Sequence, residues 1–281
     1  MSIRIITDSS ADLTPADAQR LGVDIVSMSI QFGERSFLDG VDLDKARFYQ
    51  LLAEGKESPS TAQPTPADFL KPLEAARAAG EEAVVITLSS VLSGTYQSAL
   101  IAKEMCSYGP IYVVDSLSAT AGVQIMTEYA CKLRDQGLEA KDIAEKVEAL
   151  KGRIRIFAVI DTLEYLRRGG RLSNLQAGLG TVTKLKPVIS VREGAVAVVG
   201  KAFGTVAATK QLLKFLSEHP VDNDFPAFAL YSDDKSRVDE FLPKLQEVNA
   251  LPQDLRFCSI GPTIGTHIGP GAVGMAYVEK M

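Results

Sequence analysis

The sequence predicts an α/β fold in which a parallel-sheet unit is followed by an α+β unit, and three observations carry that expectation. In the first half, short apolar runs at residues 3–6, 83–88 and 111–115 alternate with helical stretches, the rhythm of βα units in a parallel sheet. From about Arg153 the pattern changes to a hairpin and to strands that alternate with two long helices. The length of 281 residues exceeds the size at which one core stops growing, so two domains are expected, 1–152 and 153–281.

The elements follow in order. The strand at residues 3–6 leads to a helix that opens at Thr14-Pro15, where a capping hydroxyl precedes a first-turn proline, and stops at Gly22. Residues 24–37 alternate apolar and polar positions through Val26, Met28, Ile30 and Phe32 and turn at Gly33-Glu34, which predicts an antiparallel excursion. Residues 57–66, rich in Ser, Thr and Pro, read as a loop. Thr65-Pro66 opens the next helix and Gly80 ends it; Asp68, like Asp17 before it, stands three positions after the cap. The strands at 83–88 and 111–115 complete the first unit. In the second, residues 155–160 form a strand, 163–168 a short helix, and 186–191 with 195–199 a hairpin across Arg192-Glu193-Gly194. Helices at 205–219 and 236–248 and a short final strand at 275–281 complete the chain.

Composition narrows the function. With 46% hydrophobic and 23% charged residues, and no apolar run near the roughly 18 residues of a membrane span, no anchor is encoded. Thirty-five acidic against thirty basic residues give a net charge of −5, which argues against the basic face that nucleic-acid binding requires. The start, Met-Ser-Ile-Arg-Ile-Ile-Thr-Asp, enters a strand at once without the regions of a signal peptide, so a cytoplasmic location is expected, with at most transient membrane-surface contact. Cys106, Cys131 and Cys258 are odd in number and far apart, supporting neither a disulfide framework nor a zinc site; reduced core thiols are expected. His219 and His267 are the only histidines, which excludes a His-rich metal site and leaves an all-carboxylate one open.

The most unusual stretch is the end of the chain, residues 261–274, with five glycines, two prolines and His267 in fourteen positions. Glycines at that density let backbone approach a ligand, and the run reads as part of a binding site. Gly269, Gly271 and Gly274 fit a dinucleotide fingerprint only as a string, since seven residues follow and no helix can. The segment Leu88-Ser-Ser-Val-Leu-Ser93-Gly94-Thr95 lies between a strand and a helix start, where backbone amides favour a carboxylate or phosphate; Ser93 either contributes to that site or caps the helix. Thr61 is a hydroxyl in the loop before Thr65. His267 is open to three roles: general base, donor to a carboxylate, or structural residue. A small hydrolase or acyltransferase using Ser93 and His267 is the enzymatic alternative, and no G-x-S-x-G elbow supports it. The stretch from Gly194 to Lys201 lacks the spacing and final hydroxyl of a P-loop, so no nucleotide cofactor is implied. Arg167, Arg168 and Arg171, followed by Lys184 and Lys186, concentrate basic charge, either as a solvated helix end or as a docking surface.

Together the start Ile-Ile-Thr-Asp-Ser-Ser-Ala-Asp-Leu13, Thr61-Ala-Gln-Pro-Thr65, residues 88–95, Val114-Asp-Ser116, the run from Leu163 to Leu172 and His267-x-Gly-Pro-Gly271 resemble the DegV family along the full length. The resemblance implies the EDD fold, a Rossmann-like parallel-sheet N-terminal domain beside an α+β domain that binds the lipid chain, and no cofactor. It implies a non-enzymatic protein that binds a long-chain fatty acid and presents it to a separate ATP-dependent fatty acid kinase. The carboxylate contacts it implies fall on Thr61, Ser93, Gly94 and His267, the acyl chain on the interior of the second domain, and the partner contact on Arg167, Arg168 and Arg171. Two positions depart from the family pattern. Ala62 replaces a serine of the usual Thr-Ser-Gln-Pro-Ser loop, and Lys201-Ala-Phe203-Gly204 stands where many members carry a basic Lys-x-Arg segment that engages the kinase. Phe203 is expected to pack on ligand or core, and Phe203, Leu212 and Ile101 to shape the pocket. A buried carboxylate needs several donors. About fifteen methylenes at about 0.8 kcal/mol each give on the order of 12 kcal/mol before ordering costs, so chain burial dominates affinity and the polar cluster sets orientation.

Overall fold

A computed structural model describes residues 2–172, 185–247, 252 and 254–281. The first part of the chain runs β1 (Ile3–Asp8), α1 (Pro15–Leu21), β2 (Val23–Val26), β3 (Ser29–Phe32), β4 (Arg35–Leu38), α2 (Lys45–Glu54), β5 (Ser60–Ala62), α3 (Pro66–Ala79), β6 (Glu82–Thr87), α4 (Thr95–Cys106), β7 (Ile111–Asp115), α5 (Ala121–Asp135) and α6 (Ala140–Leu150). The second runs β8 (Ile154–Val159), α7 (Glu164–Arg168), β9 (Leu185–Arg192), β10 (Ala195–Phe203), α8 (Gly204–Glu218), β11 (Ala227–Tyr231), α9 (Ser236–Glu247), β12 (Leu255–Ser259), α10 (Pro262–Ile268) and β13 (Val273–Val278). The fold is mixed α/β. A four-stranded parallel sheet has the order β2-β1-β6-β7, a six-stranded mixed sheet β10-β9-β8-β13-β11-β12, and a small antiparallel sheet β4-β3-β5.

The helix signals in the sequence have direct counterparts. Thr14 accepts from the Asp17 amide at 3.1 Å, and the Thr65 amide donates to Asp68 at 2.9 Å, fixing the starts of α1 and α3. Two expectations need correction. Residues 24–37 are not one excursion: residues 24–26 lie in β2 and pair in parallel with β1, and only β3 and β4 form the hairpin turning at Gly33-Glu34. Residues 57–66 are not all loop, because Ser60–Ala62 adds to the edge of β3 and sets Thr61 opposite Ile30. A three-residue strand with prolines at 59 and 64 shows no local β signal; its pairing with a strand thirty residues earlier creates it. Val248, the last residue of the expected helix at 236–248, lies outside the described residues, as does Lys184.

The mixed sheet explains why its strands are apolar on both faces. Along β8, Ile154, Ile156 and Ala158 join a core with α5, α6 and the parallel sheet, while Phe157 and Val159 point the other way into a core with α8 and α9. The final strand β13 lies in the middle of this sheet, between β8 and β11, and all six of its residues are buried. Cys106, Cys131 and Cys258 are buried free thiols, and burial pushes Cys131 up to about 11 and Cys258 up to about 12. No helix among the described residues is long and apolar enough to cross a membrane.

Candidate functional site

A cavity of about 360 Å³ opens between the inward face of the mixed sheet and the loops at the carboxyl ends of β6 and β7. Ile156 and Ala158 of β8, Ile189 of β9 and Leu230 of β11 form one wall, and Leu88, Leu92 and Ala119 contribute to the other. The sequence reading put the ligand's chain inside the second domain; the cavity instead lies between the two parts of the chain, because the second face of the mixed sheet is filled by α8 and α9. Phe203 is 73% exposed, Leu212 belongs to the α8 core and Ile101 is on the surface of α4, so none of the three shapes this cavity.

One end of the cavity is polar. Thr61, carried in by β5, and His267, carried in by α10, share a hydrogen bond of 2.8 Å between Oγ1 and Nε2. The other ring nitrogen, Nδ1, is buried without a hydrogen-bond partner, and the ring packs so closely on Gly169 that a Cβ there would lie 2.1 Å from Nδ1. Burial, with the nearby Arg171 charge second, pulls the imidazole down to about 4, so it is neutral at pH 7. Ser93 lines the same cavity, its hydroxyl 2.8 Å from that of Thr95. Gly94 is the N-cap of α4 and does not itself line the cavity; Gln63 covers it, donating to the Gly94 carbonyl at 3.2 Å and to Ser98 at 2.9 Å. The α4 N-terminus has no side-chain cap, so its amides and dipole remain available to an anion. The described hydrogen bonds of Ser93 and His267 go to Thr95 and Thr61 rather than to each other, so a serine–histidine dyad is not assembled.

The three arginines separate. Arg167 and Arg168 are exposed, and Arg168 pairs with Glu164 and donates to Ser58 at 3.0 Å. Arg171 instead turns inward: it lines the cavity, its Nε donates to the Leu92 carbonyl at 3.0 Å, and it has no carboxylate partner among the described residues. A half-buried guanidinium without a counter-charge, beside a neutral imidazole, makes this end of the cavity attractive to an anion.

Sequence reasoning missed what holds these loops together. Asp8 accepts from the Leu88 amide at 2.7 Å and so sets the start of the Ser93 loop. Asp12 accepts from the Gly261 amide at 2.8 Å and the Thr120 hydroxyl at 2.6 Å, and Asp39 accepts from the amide and hydroxyl of Thr263. These carboxylates anchor the start of α10, the helix that aims His267. Their signal was three aspartates at or just after the carboxyl ends of predicted strands, with nothing local to name their distant partners.

Asp39 makes the anchoring pH-sensitive. Burial raises its carboxyl from 3.8 to about 7, with Asp12 adding repulsion, against the lowering effect of Thr263. The native state therefore holds a proton that the unfolded chain loses, and the associated stability is present below 3.8 and lost as pH rises through about 7. Between about pH 4 and about pH 8 the wild type should lose roughly 4 kcal/mol of stability relative to Asp39→Asn. The depressed His267 has the opposite slope but is common to both proteins. Urea unfolding of the pair across that range checks this, and parallel profiles would contradict it.

The cavity is mostly apolar, and hydroxyl, imidazole and guanidinium groups from Thr61, Ser93, His267 and Arg171 stand in its lining. The chain belongs to the DegV family, whose family model, described as an uncharacterised protein of the DegV family, matches residues 2–280. A DegV domain-containing protein of Caldanaerobacter subterraneus subsp. tengcongensis is 34% identical over 283 residues, covering 99% of each chain. The solved structure of a DegV family protein from Thermus thermophilus, described by its fatty acid binding, superposes with a TM-score of 0.89 at 30% identity, covering 99% of this chain and 100% of its own. A fatty acid (stearic acid)-binding protein from Eubacterium ventriosum superposes with a TM-score of 0.86 at 26% identity, covering 100% of this chain and 99% of its own.

Proposed function

We propose that this protein binds a single long-chain fatty acid, with the carboxylate held by Thr61, Ser93, His267 and the backbone near Gly94, and the acyl chain in the cavity between the two parts of the chain. The observation that carries the reading is the Thr61–His267 pair in the lining of a mostly apolar cavity, with Arg171, which has no carboxylate partner among the described residues, in the same lining. The cavity's 360 Å³ is within the range of about 300–1,000 Å³ usual for small-molecule sites. The fatty acid-binding descriptions of the related solved structures support the same ligand class.

In this reading residues 1–152 supply the hydroxyls and the α4 amides, and residues 153–281 supply the sheet wall, Arg171 and His267. A neutral His267 has one N–H and Thr61 one O–H, and their mutual hydrogen bond uses one of these two protons, so the pair donates one hydrogen bond to the carboxylate and Arg171 supplies the charge. The protein performs no chemistry of its own. It presents the carboxylate to a separate ATP-dependent fatty acid kinase in the cytoplasm, with Arg167 and Arg168 as the outward contact and Arg171 at the mouth of the site, and it meets a membrane surface only transiently.

A Ser93→Ala/His267→Ala double variant is expected to lower palmitate affinity about a hundredfold in titration calorimetry, through loss of the Ser93 hydrogen bond to a charged head and of the one that the Thr61–His267 pair donates or orients. Unchanged affinity would remove this carboxylate site. Labelling of Ser93 by a serine-reactive phosphonate would instead favour the hydrolase reading.

A further inference from the structure

Helix α10, which carries His267, has seven residues with a glycine at its middle, too few to hold a helix by themselves, so its position depends on what grips its two ends. The start is gripped by Asp12 and Asp39. The end leads, two residues after His267, into the turn Gly269-Pro270-Gly271, whose glycines have φ of 73° and 79°. Both polar groups of Gly271 are held by side chains from other parts of the fold. Its amide donates to Asp233, two residues beyond β11, at 2.7 Å, and its carbonyl accepts from Arg237, in the first turn of α9, at 2.7 Å. Arg237 is held in turn by Asp161, two residues beyond β8, through bonds of 2.9 and 3.2 Å, and Lys186 of β9 donates to the same carboxylate at 2.7 Å. A Cβ on Gly271 would collide with Asp161 and Arg237, so the turn lies directly on this clamp.

None of these four charged residues lines the apolar cavity. Asp161, Lys186 and Arg237 border a separate pocket of about 280 Å³, beside Val159 and Val273, whose side chains belong to the core on the other face of the mixed sheet. A residue gripped at both its amide and its carbonyl by charged side chains cannot shift without breaking a charge-assisted bond. Little slack separates it from the helix: Pro270 fixes its own φ, and the Gly269 amide closes the last turn of α10 on the Gly265 carbonyl at 2.8 Å. A displacement of Gly271 therefore carries the last turn of α10 with it, and the 2.8 Å contact of His267 with Thr61 opens. We propose that Asp233 and Arg237 are positioning residues for fatty acid binding, fixing the turn after α10 so that His267 meets Thr61 and the carboxylate. This rests on the fatty-acid reading of the inner cavity.

The test is a double-mutant cycle on the full-length chain, read by calorimetric titration with palmitate: wild type, Asp233→Ala, His267→Ala and the two combined, with a second cycle in which Arg237→Met replaces Asp233→Ala. Asp233 is exposed and Arg237 half-buried, and thermal unfolding verifies that each variant keeps its fold; should Arg237→Met lose it, the Asp233 cycle decides alone. Each clamp variant is expected to weaken palmitate binding about tenfold when His267 is present and to cause no further loss in His267→Ala. Asp233→Asn, which keeps an oxygen for the Gly271 amide, is expected to bind as wild type does. A loss by the same factor in both backgrounds marks general support of the fold and overturns the positioning role. So does wild-type affinity in the clamp variants, or a loss in Asp233→Asn equal to that in Asp233→Ala. Wild type that binds palmitate no better than His267→Ala overturns the role of His267, and wild type that binds none overturns the fatty-acid reading; the inference falls with either.

Discussion

Replacing Ala158 by phenylalanine is expected to weaken long-chain fatty acid binding about a hundredfold while leaving an eight-carbon acid nearly unaffected. Ala158 lines the cavity on β8, and its cross-strand partner on β13 is Gly274. The methyl of Ala158 leaves room on this wall, while Gly274 lets the two strands approach closely: a Cβ there would lie 2.1 Å from the Phe157 carbonyl and 2.7 Å from Ala158. A phenyl ring at Ala158 enters the void and displaces about four methylenes, worth about 3 kcal/mol at about 0.8 kcal/mol each. Because the ring fills existing space, the fold is expected to survive with little change in melting temperature. Displacement of a fluorescent fatty acid by palmitate and by octanoate checks both halves. Equal palmitate affinity in the variant and the wild type would show that the chain lies elsewhere.

Gly169→Ala is expected to fold normally and to bind fatty acid at least tenfold more weakly, although the added methyl is outside the apolar cavity. The backbone at Gly169, with φ −74° and ψ −7°, is one that alanine adopts readily, so the effect is not strain. The new Cβ would lie 2.1 Å from Nδ1 and 2.8 Å from Cε1 of His267. The ring must move, and the 2.8 Å bond to Thr61 moves with it. A hydrogen bond to a charged partner contributes about 1.5–3 kcal/mol, which sets the scale of the loss. Calorimetric titration with palmitate is the measurement, and wild-type affinity in the variant would show that the position of His267 does not matter to the ligand.

Much of the architecture was legible because its signals are local. The Thr14 and Thr65 caps, the apolar runs of β1, β6 and β7, and the hairpin around Gly194 each depend on residues close in sequence. What was not legible depends on pairing between distant segments. β5 exists only because residues 29–31 lie beside it, and that pairing moves Thr61 from a solvated loop to the cavity end. The close approach of β8 and β13 at Ala158 depends in the same way on Gly274 being its cross-strand partner. Arg171 looked like part of one surface cluster with Arg167 and Arg168, but the turn after α7 brings its side chain back under the Leu92 carbonyl. Phe203 is the reverse case: its apolar side chain suggested packing on ligand or core, and it is largely exposed at the β10–α8 junction. The site residues taken from family resemblance were easier to name than to explain. Asp8, Asp12 and Asp39, which aim them, carry no motif beyond their places at strand ends.

The most direct measurement is native mass spectrometry of the purified full-length chain, followed by denaturing analysis of what it releases. A single added mass equal to one long-chain fatty acid, recovered in the lipid extract at about one per protein and depleted in Ala158→Phe, is the expected result. Protein that carries no lipid as isolated and takes up none when mixed with palmitate would contradict fatty acid binding by this chain.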